Sequence, residues 1–232
     1  MALVMEEALL LVKPGLSLSD LDQEIEKLIL KNGGEPSFKT VADYHWASCL
    51  NINQGVVHGV PNDYRLQKND LLSIDIGFFW QGFHNDMART VIVGEGNPKL
   101  KKFLAVGEKT LKKAIKAARV GNRIGHLSAA IEKGLRDVGY SPVEILTGHG
   151  VGRKLHEEPQ IPCLLWKGLK NTPEIKSGMA LAIEVIYAQG SPDLVLGKDN
   201  WTIETEDGQL SGLFEDTVLV EGKKTLVLTE LN

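Results

Sequence analysis

Apolar positions recur with two different periods along this chain. Residues 1–12 are dense in Leu, Val and Met and read as a helix stopped by Lys13-Pro14-Gly15. Leu18, Leu21, Ile25, Leu28 and Ile29 then follow the helical period. That predicts a second helix, capped by Ser17 or Ser19 and ended by Asn32-Gly33-Gly34. Pro98 opens a third over about 98–118, with lysines along one side and a break at Val120-Gly121-Asn122. A fourth runs over about 124–137 and stops at Gly139. Residues 71–93 differ: two runs rich in β-branched and aromatic residues flank Trp80-Gln81-Gly82, which reads as a hairpin. Further strands are expected within 38–60 and near 179–188, 201–205, 214–220 and 224–229.

The pattern repeats. Shifted by 106 residues, Gly15 falls on Gly121, Leu18 on Ile124, Leu21 on Leu127, Ile25 on Ile131 and Gly33 on Gly139. In each half a helix pair precedes a strand-rich segment. The expectation is two similar α+β halves, about 1–97 and 98–232, packed as one domain, with any site in the groove between them.

Composition narrows the classes. Hydrophobic content of 43% and charged content of 24% suit a soluble globular protein. A net charge of −4 without a long Lys/Arg run gives no footprint for nucleic acid. Two cysteines make no disulfide framework and point to a reducing compartment. Glu6 and Glu7 interrupt the N-terminal apolar run, so no signal peptide is read, and no uncharged run reaches the ~20 residues of a membrane span. The expected location is the cytoplasm, away from membranes, and nothing demands more than a monomer.

Acidic residues stand in apolar strands. A turn centred between Trp80 and Gln81 would set Asp75 directly opposite Asp86, in a strand that also carries Ile74, Ile76 and Phe78. Glu184 is a lone acid in Met179–Ile186, and Glu215 opens an apolar run with Asp216 on its other face. His149 sits between glycines, with His156 seven residues on. Taken singly, each has an ordinary structural explanation. Together they form an oxygen-rich set with one nitrogen, suited to Mn, Fe, Co or Zn. Four carboxylates exceed the needs of one such ion and fit a pair, which is the arrangement of hydrolytic two-metal sites.

These segments, in this order, resemble the methionine aminopeptidases. The resemblance is carried by Asn53-x4-His58-Gly59, Asp75-x10-Asp86, Gly148-His149-Gly150-Val151-Gly152, His156-Glu157-Glu158-Pro159, Ile183-Glu184 and Phe214-Glu215, and spans about residues 5–230. It is a resemblance to the bacterial-type, type I members of the pita-bread metallopeptidases, family M24. It implies a pita-bread (creatinase/aminopeptidase) α+β fold, with two pseudo-symmetric halves around a central antiparallel sheet. It implies Asp75, Asp86, His149, Glu184 and Glu215 as ligands of two divalent ions, with Asp86 and Glu215 bridging. Glu184 would also be the general base, with His58 at the scissile amide and His156 at its carbonyl oxygen. Phe38, Tyr44, Cys49 and Trp201 would line the methionine pocket with Val41 and Leu155, and Asn53 would sit by a monovalent cation. The substrates would be N-termini of peptides and nascent proteins.

The chain departs from the family pattern at Val185, where the family has proline, and at Asp216, where it has histidine. Phe38, Val41 and Leu155 are also substituted. Asp216 and the altered pocket motivate a second reading, an Xaa-Pro-directed aminopeptidase or dipeptidase. A third is an inactive peptide- or protein-binding module on the same fold.

Overall fold

The computed structural model describes residues 1–222 and 224–231. Helices α1 (Ala2–Leu11) and α2 (Leu18–Lys31) lead into strands β1 (Glu35–Pro36), β2 (Ser48–Ile52), β3 (Gly55–Val57), β4 (Leu71–Trp80) and β5 (Phe83–Ile92). Helices α3 (Pro98–Ala117) and α4 (Ile124–Arg136) lead into β6 (Ser141–Pro142), β7 (Thr147–Gly150), β8 (Glu157–Pro162) and β9 (Ala180–Ala188). Strands β10 (Leu194–Leu196), β11 (Ile203–Thr205), β12 (Ser211–Glu221) and β13 (Lys224–Val227) complete the described order.

Local chemistry accounts for the helix ends. Of the two candidate caps, Ser17 takes the role: its hydroxyl accepts from the Asp20 N–H at 3.1 Å. Asn97 caps α3 through the N–H groups of Lys99 and Leu100, and Pro98 occupies the first turn, where no N–H is needed. His126, expected to be exposed, is half-buried, and its ring accepts from the Arg123 N–H at the start of α4. Asp22 is buried in α2 because it accepts from Ala47 N–H, Ser48 N–H and the Ser48 hydroxyl, which ties the helix to β2.

A ten-stranded antiparallel sheet runs β1-β4-β5-β12-β9-β7-β8, with β2 on β4, β6 on β9 and β13 on β12. The repeat is present in three dimensions. β1 and β2 pair with β4 as β6 and β7 pair with β9, and β5 and β12 meet at the centre. Gly15 and Gly121 have φ of +88° and +91°, and Gly33 and Gly139 of +79° and +84°. These left-handed conformations explain why glycine recurs at both ends of the repeated helix. One apolar cluster packs α1 and α2 on β4, and a second packs α3 and α4 on β9 and β12. The fold is thus the expected pita-bread arrangement.

The hairpin register corrects the sequence expectation. The turn is Gln81-Gly82, both at positive φ (+48° and +83°), the conformation of a tight two-residue hairpin loop. Trp80 therefore pairs with Phe83, Asp86 faces Gly77, and Asp75 faces Ala88. Asp75 and Asp86 are diagonal neighbours on one face rather than direct partners.

Candidate active site

Five side chains converge because the sheet register places them in two adjacent rows. The first row runs Asp75 (β4), Ala88 (β5), Glu215 (β12), Glu184 (β9), each facing the next. In the second, Gly77 faces Asp86, and Thr217 faces Ala182, which faces His149 (β7). Residues in register share a sheet face, so all five side chains project to the same side. The intervening Ala88 and Ala182 are small and leave space between the carboxylates.

Ligand atoms of Asp86, His149 and Glu215 lie within 4.8 Å of one another. His149 Nε2 is 3.9 Å from Asp86 Oδ2. All five residues are buried, and Asp75 Oδ1, Asp86 Oδ1 and Glu215 Oε1 have no hydrogen-bond partner among the described residues. Burying unpaired carboxylates is costly, and the group responds by holding protons. Burial pushes Asp86 up to about 7. Burial, and then the Asp86 charge, push Asp75, Glu184 and Glu215 well above the carboxylate range. A divalent cation removes both the repulsion and the unmet acceptors, so the donor set fits one.

His149 is prepared for the same role. Its Nδ1 lies 2.9 Å from the Gly150 carbonyl oxygen, which can only accept, so Nδ1 carries the proton and Nε2 offers a lone pair toward Asp86. Burial pushes its pKa down to about 4, so the ring is neutral at physiological pH.

Beside the carboxylates lies a cavity of about 180 Å³ walled by Phe38, Val41, Tyr44, Cys49, Leu155 and Trp201. Phe38, Tyr44, Cys49 and Leu155 form an apolar cluster of their own, apart from the two main cores. Tyr44 packs edge-on against Trp201 at 5.1 Å, and its hydroxyl donates to the Ser48 carbonyl at 2.9 Å. Close contact of Gly77 with Ser37 and Phe38 sets this wall: a Cβ there would stand 2.6 Å from the Ser37 Cβ. A larger cleft of about 730 Å³ opens beyond, lined by Arg153, Lys154, Glu157 and Gln160 among others. Val57, His58, His149, His156 and Glu184 line both spaces, and so mark the junction between cleft and pocket. Burial, with His156 alongside, lowers the pKa of His58; burial alone lowers that of His156. The His156 ring stacks edge-on to His149 at 4.6 Å.

Asn53 has φ of +52°, and its carbonyl accepts from Ser211 N–H at 2.8 Å. His84, on the same strand as Asp86, lies 2.9 Å from the Ser37 hydroxyl through Nδ1. Val185 continues β9 without interruption, paired with Phe214. Asp216 points away from the pocket: its Oδ1 accepts from Arg89 Nη2 and from the Thr229 hydroxyl, both at 2.7 Å. Sequence reading did not find Val57, Arg153, Arg89 or Thr217, because each gains its place from partners distant in the chain.

Residues 1–222 match the model of metallopeptidase family M24. The chain is similar to methionine aminopeptidase 1 of Bacillus subtilis (strain 168), with 39% identity over 99% of this chain and 92% of that one. It is 36% identical to the methionine aminopeptidase of Helicobacter pylori (strain ATCC 700392 / 26695) over 94% of this chain and 87% of that one. The crystal structure of methionine aminopeptidase from Thermotoga maritima superposes with a TM-score of 0.95 at 34% identity, covering 99% of this chain and 92% of that one. A prolidase from Pyrococcus furiosus shares the fold at a TM-score of 0.80 and 24% identity, this chain spanning 60% of it.

Proposed function

The chain belongs to metallopeptidase family M24, and from that premise we propose that it is a metal-dependent aminopeptidase removing the N-terminal methionine from peptides and nascent proteins. One observation carries the reading: buried, mutually repelling carboxylates form one wall of a small apolar pocket. Asp75, Asp86, His149, Glu184 and Glu215 would hold two divalent ions (Co, Mn, Fe or Zn), with Asp86 and Glu215 shared. Ions bound there would supply an activated water and polarise the scissile carbonyl.

The chain's own residues do the rest. The pocket among Phe38, Tyr44, Cys49, Leu155 and Trp201 takes the methionine side chain, whose burial stabilises the complex by about 1.5–3 kcal/mol. A pocket of this size accepts one side chain. The rest of the peptide lies in the larger cleft. Glu184 stands at the junction, where it takes a proton from the attacking water and returns it to the leaving amine. His156 donates to the carbonyl oxygen as negative charge develops, and His58 holds the scissile amide. Both rings are neutral at physiological pH because burial lowers their pKa, so each offers one N–H and one lone pair.

The Xaa-Pro alternative was motivated in part by Asp216, which faces Arg89 and not the pocket. Relative kcat/KM on Met-Ala-Ser, Leu-Ala-Ser and Ala-Pro tests the proposal. Met-Ala-Ser should be turned over fastest. Faster turnover of Ala-Pro would transfer the chain to the proline-directed activity, and peptide binding with neither metal uptake nor turnover would make it a binding module.

A further inference from the structure

The central strands β5 and β12, one from each half, pair directly at only two positions, Ala88 with Glu215 and Met87 with Asp216. Beyond each end a threonine hydroxyl replaces the partner strand's backbone. Thr217 Oγ1 accepts from Asp86 N–H at 2.9 Å and donates to the Asp86 carbonyl at 2.7 Å. At the other end Thr90 Oγ1 accepts from Leu213 N–H and donates to its carbonyl, both at 2.8 Å. The Thr217 backbone is turned elsewhere: its N–H donates to the Thr229 hydroxyl and its carbonyl accepts from Leu228 N–H. On the β4 side Asp86 is held in the hairpin ladder facing Gly77, and on the β12 side the Thr217 hydroxyl meets both its N–H and its carbonyl.

We propose that Thr217 is a positioning residue that sets Asp86, donated by one half, against Glu215 and His149, donated by the other. This rests on the ligand reading given above. Three features support it. Thr217 is itself buried, so no solvent competes for its hydroxyl. It stands two residues from Glu215 on the same strand, so one short segment carries a carboxylate and grips the backbone of another. Asp86 Oδ1 has no hydrogen-bond partner among the described residues, so a shift of the Asp86 backbone moves an acceptor that nothing else holds. Groups hydrogen-bonded to metal-ligating side chains typically change metal affinity about 10–100-fold when removed, and a group that holds a ligand's backbone acts on the same geometry.

Thr90 supplies an internal control, since it makes the same exchange with Leu213, which carries no ligand atom. The experiment compares Thr217→Val, Thr217→Ser and Thr90→Val in three measurements: Mn²⁺ calorimetry, the visible spectrum of the Co²⁺-loaded protein, and steady-state kinetics. Thr217→Val should weaken the tighter ion by about 10–100-fold, shift the Co²⁺ bands and lower kcat at similar KM. Thr217→Ser should stay within about threefold of the parent, since it keeps the hydroxyl. Thr90→Val should lower Tm comparably yet keep the parent affinity and spectrum. Should Thr217→Val not fold, Thr217→Cys, a weaker donor, should show an intermediate loss of affinity. Equal metal affinity in Thr217→Val and Thr90→Val would overturn the proposal. Absence of ion uptake by the parent protein would instead remove the ligand reading, and this inference with it.

Discussion

At the scale of single residues, the site is a concentration of groups held away from their ordinary ionisation. Burial raises the pKa of Asp86 to about 7 from the ordinary 3.8, with Asp75, Glu184 and Glu215 raised alongside it. A carboxyl whose folded pKa lies above its unfolded value favours folding fully at low pH and loses that contribution as pH rises through the folded pKa. The metal-stripped protein should therefore lose stability between pH 4 and pH 7, the window set by Asp86. His149, lowered from 6.5 to about 4, works in the opposite direction, as do the smaller downward shifts of His58, His84 and His156, against the large upward shifts of the four clustered carboxyls. Thermal unfolding of chelator-treated protein across this range checks the sign, and Asp86→Asn should flatten the slope. Asp216 gives a second prediction. Its ion pair with Arg89 is largely buried, and Arg89 also donates to the Glu215 carbonyl at 2.5 Å. Removing one partner strands the other: Arg89→Met should cost about 3–5 kcal/mol in denaturant unfolding. Adding Asp216→Leu to Arg89→Met should recover most of that loss.

Secondary-structure elements show what the sequence discloses and what it withholds. Helix boundaries were legible because Ser17, Pro98 and the paired glycines act locally, through caps and left-handed turns. The repeat was legible for the same reason. The hairpin register was displaced because the turn chemistry lies in Gln81-Gly82, one step beyond the centre assumed from the pattern of strand residues. Glu184 and Glu215 stood out singly as misplaced acids, but their roles came from resemblance to a family. That they face each other is a property of the β9–β12 register, which spans distant sequence. Thr217 was invisible for the same reason, since its partner Asp86 is 131 residues away. Helix α3 carries a prediction at this scale. Gly107 costs an isolated helix about 1 kcal/mol relative to Ala. Here a Cβ would collide with the Phe214 ring and stand 2.7 Å from the Tyr187 hydroxyl, whose proton is given to the Phe103 carbonyl. Gly107→Ala should thus destabilise by about 1–3 kcal/mol, read as a lower Tm, despite its better helix propensity.

The whole molecule makes a site that neither half could make alone. Asp75 and Asp86 come from β4 and β5, His149, Glu184 and Glu215 from β7, β9 and β12, and the two sets meet where β5 and β12 join. The first half also supplies Phe38, Tyr44, Cys49 and His58, while Leu155, His156 and Trp201 come from the second. The carboxylate cluster and the apolar pocket are therefore coupled through the packing of the halves. Among the described residues no helix is long and apolar enough to cross a membrane. We propose that paired ions held by this carboxylate cluster drive removal of N-terminal methionine. The most direct test is release of free methionine from Met-Ala-Ser by chelator-stripped protein, titrated separately with Co²⁺, Mn²⁺, Fe²⁺ and Zn²⁺. No release is expected without metal, and recovery should saturate near two ions per chain. Release that persists in the stripped protein, or that metal does not restore, would contradict the proposal.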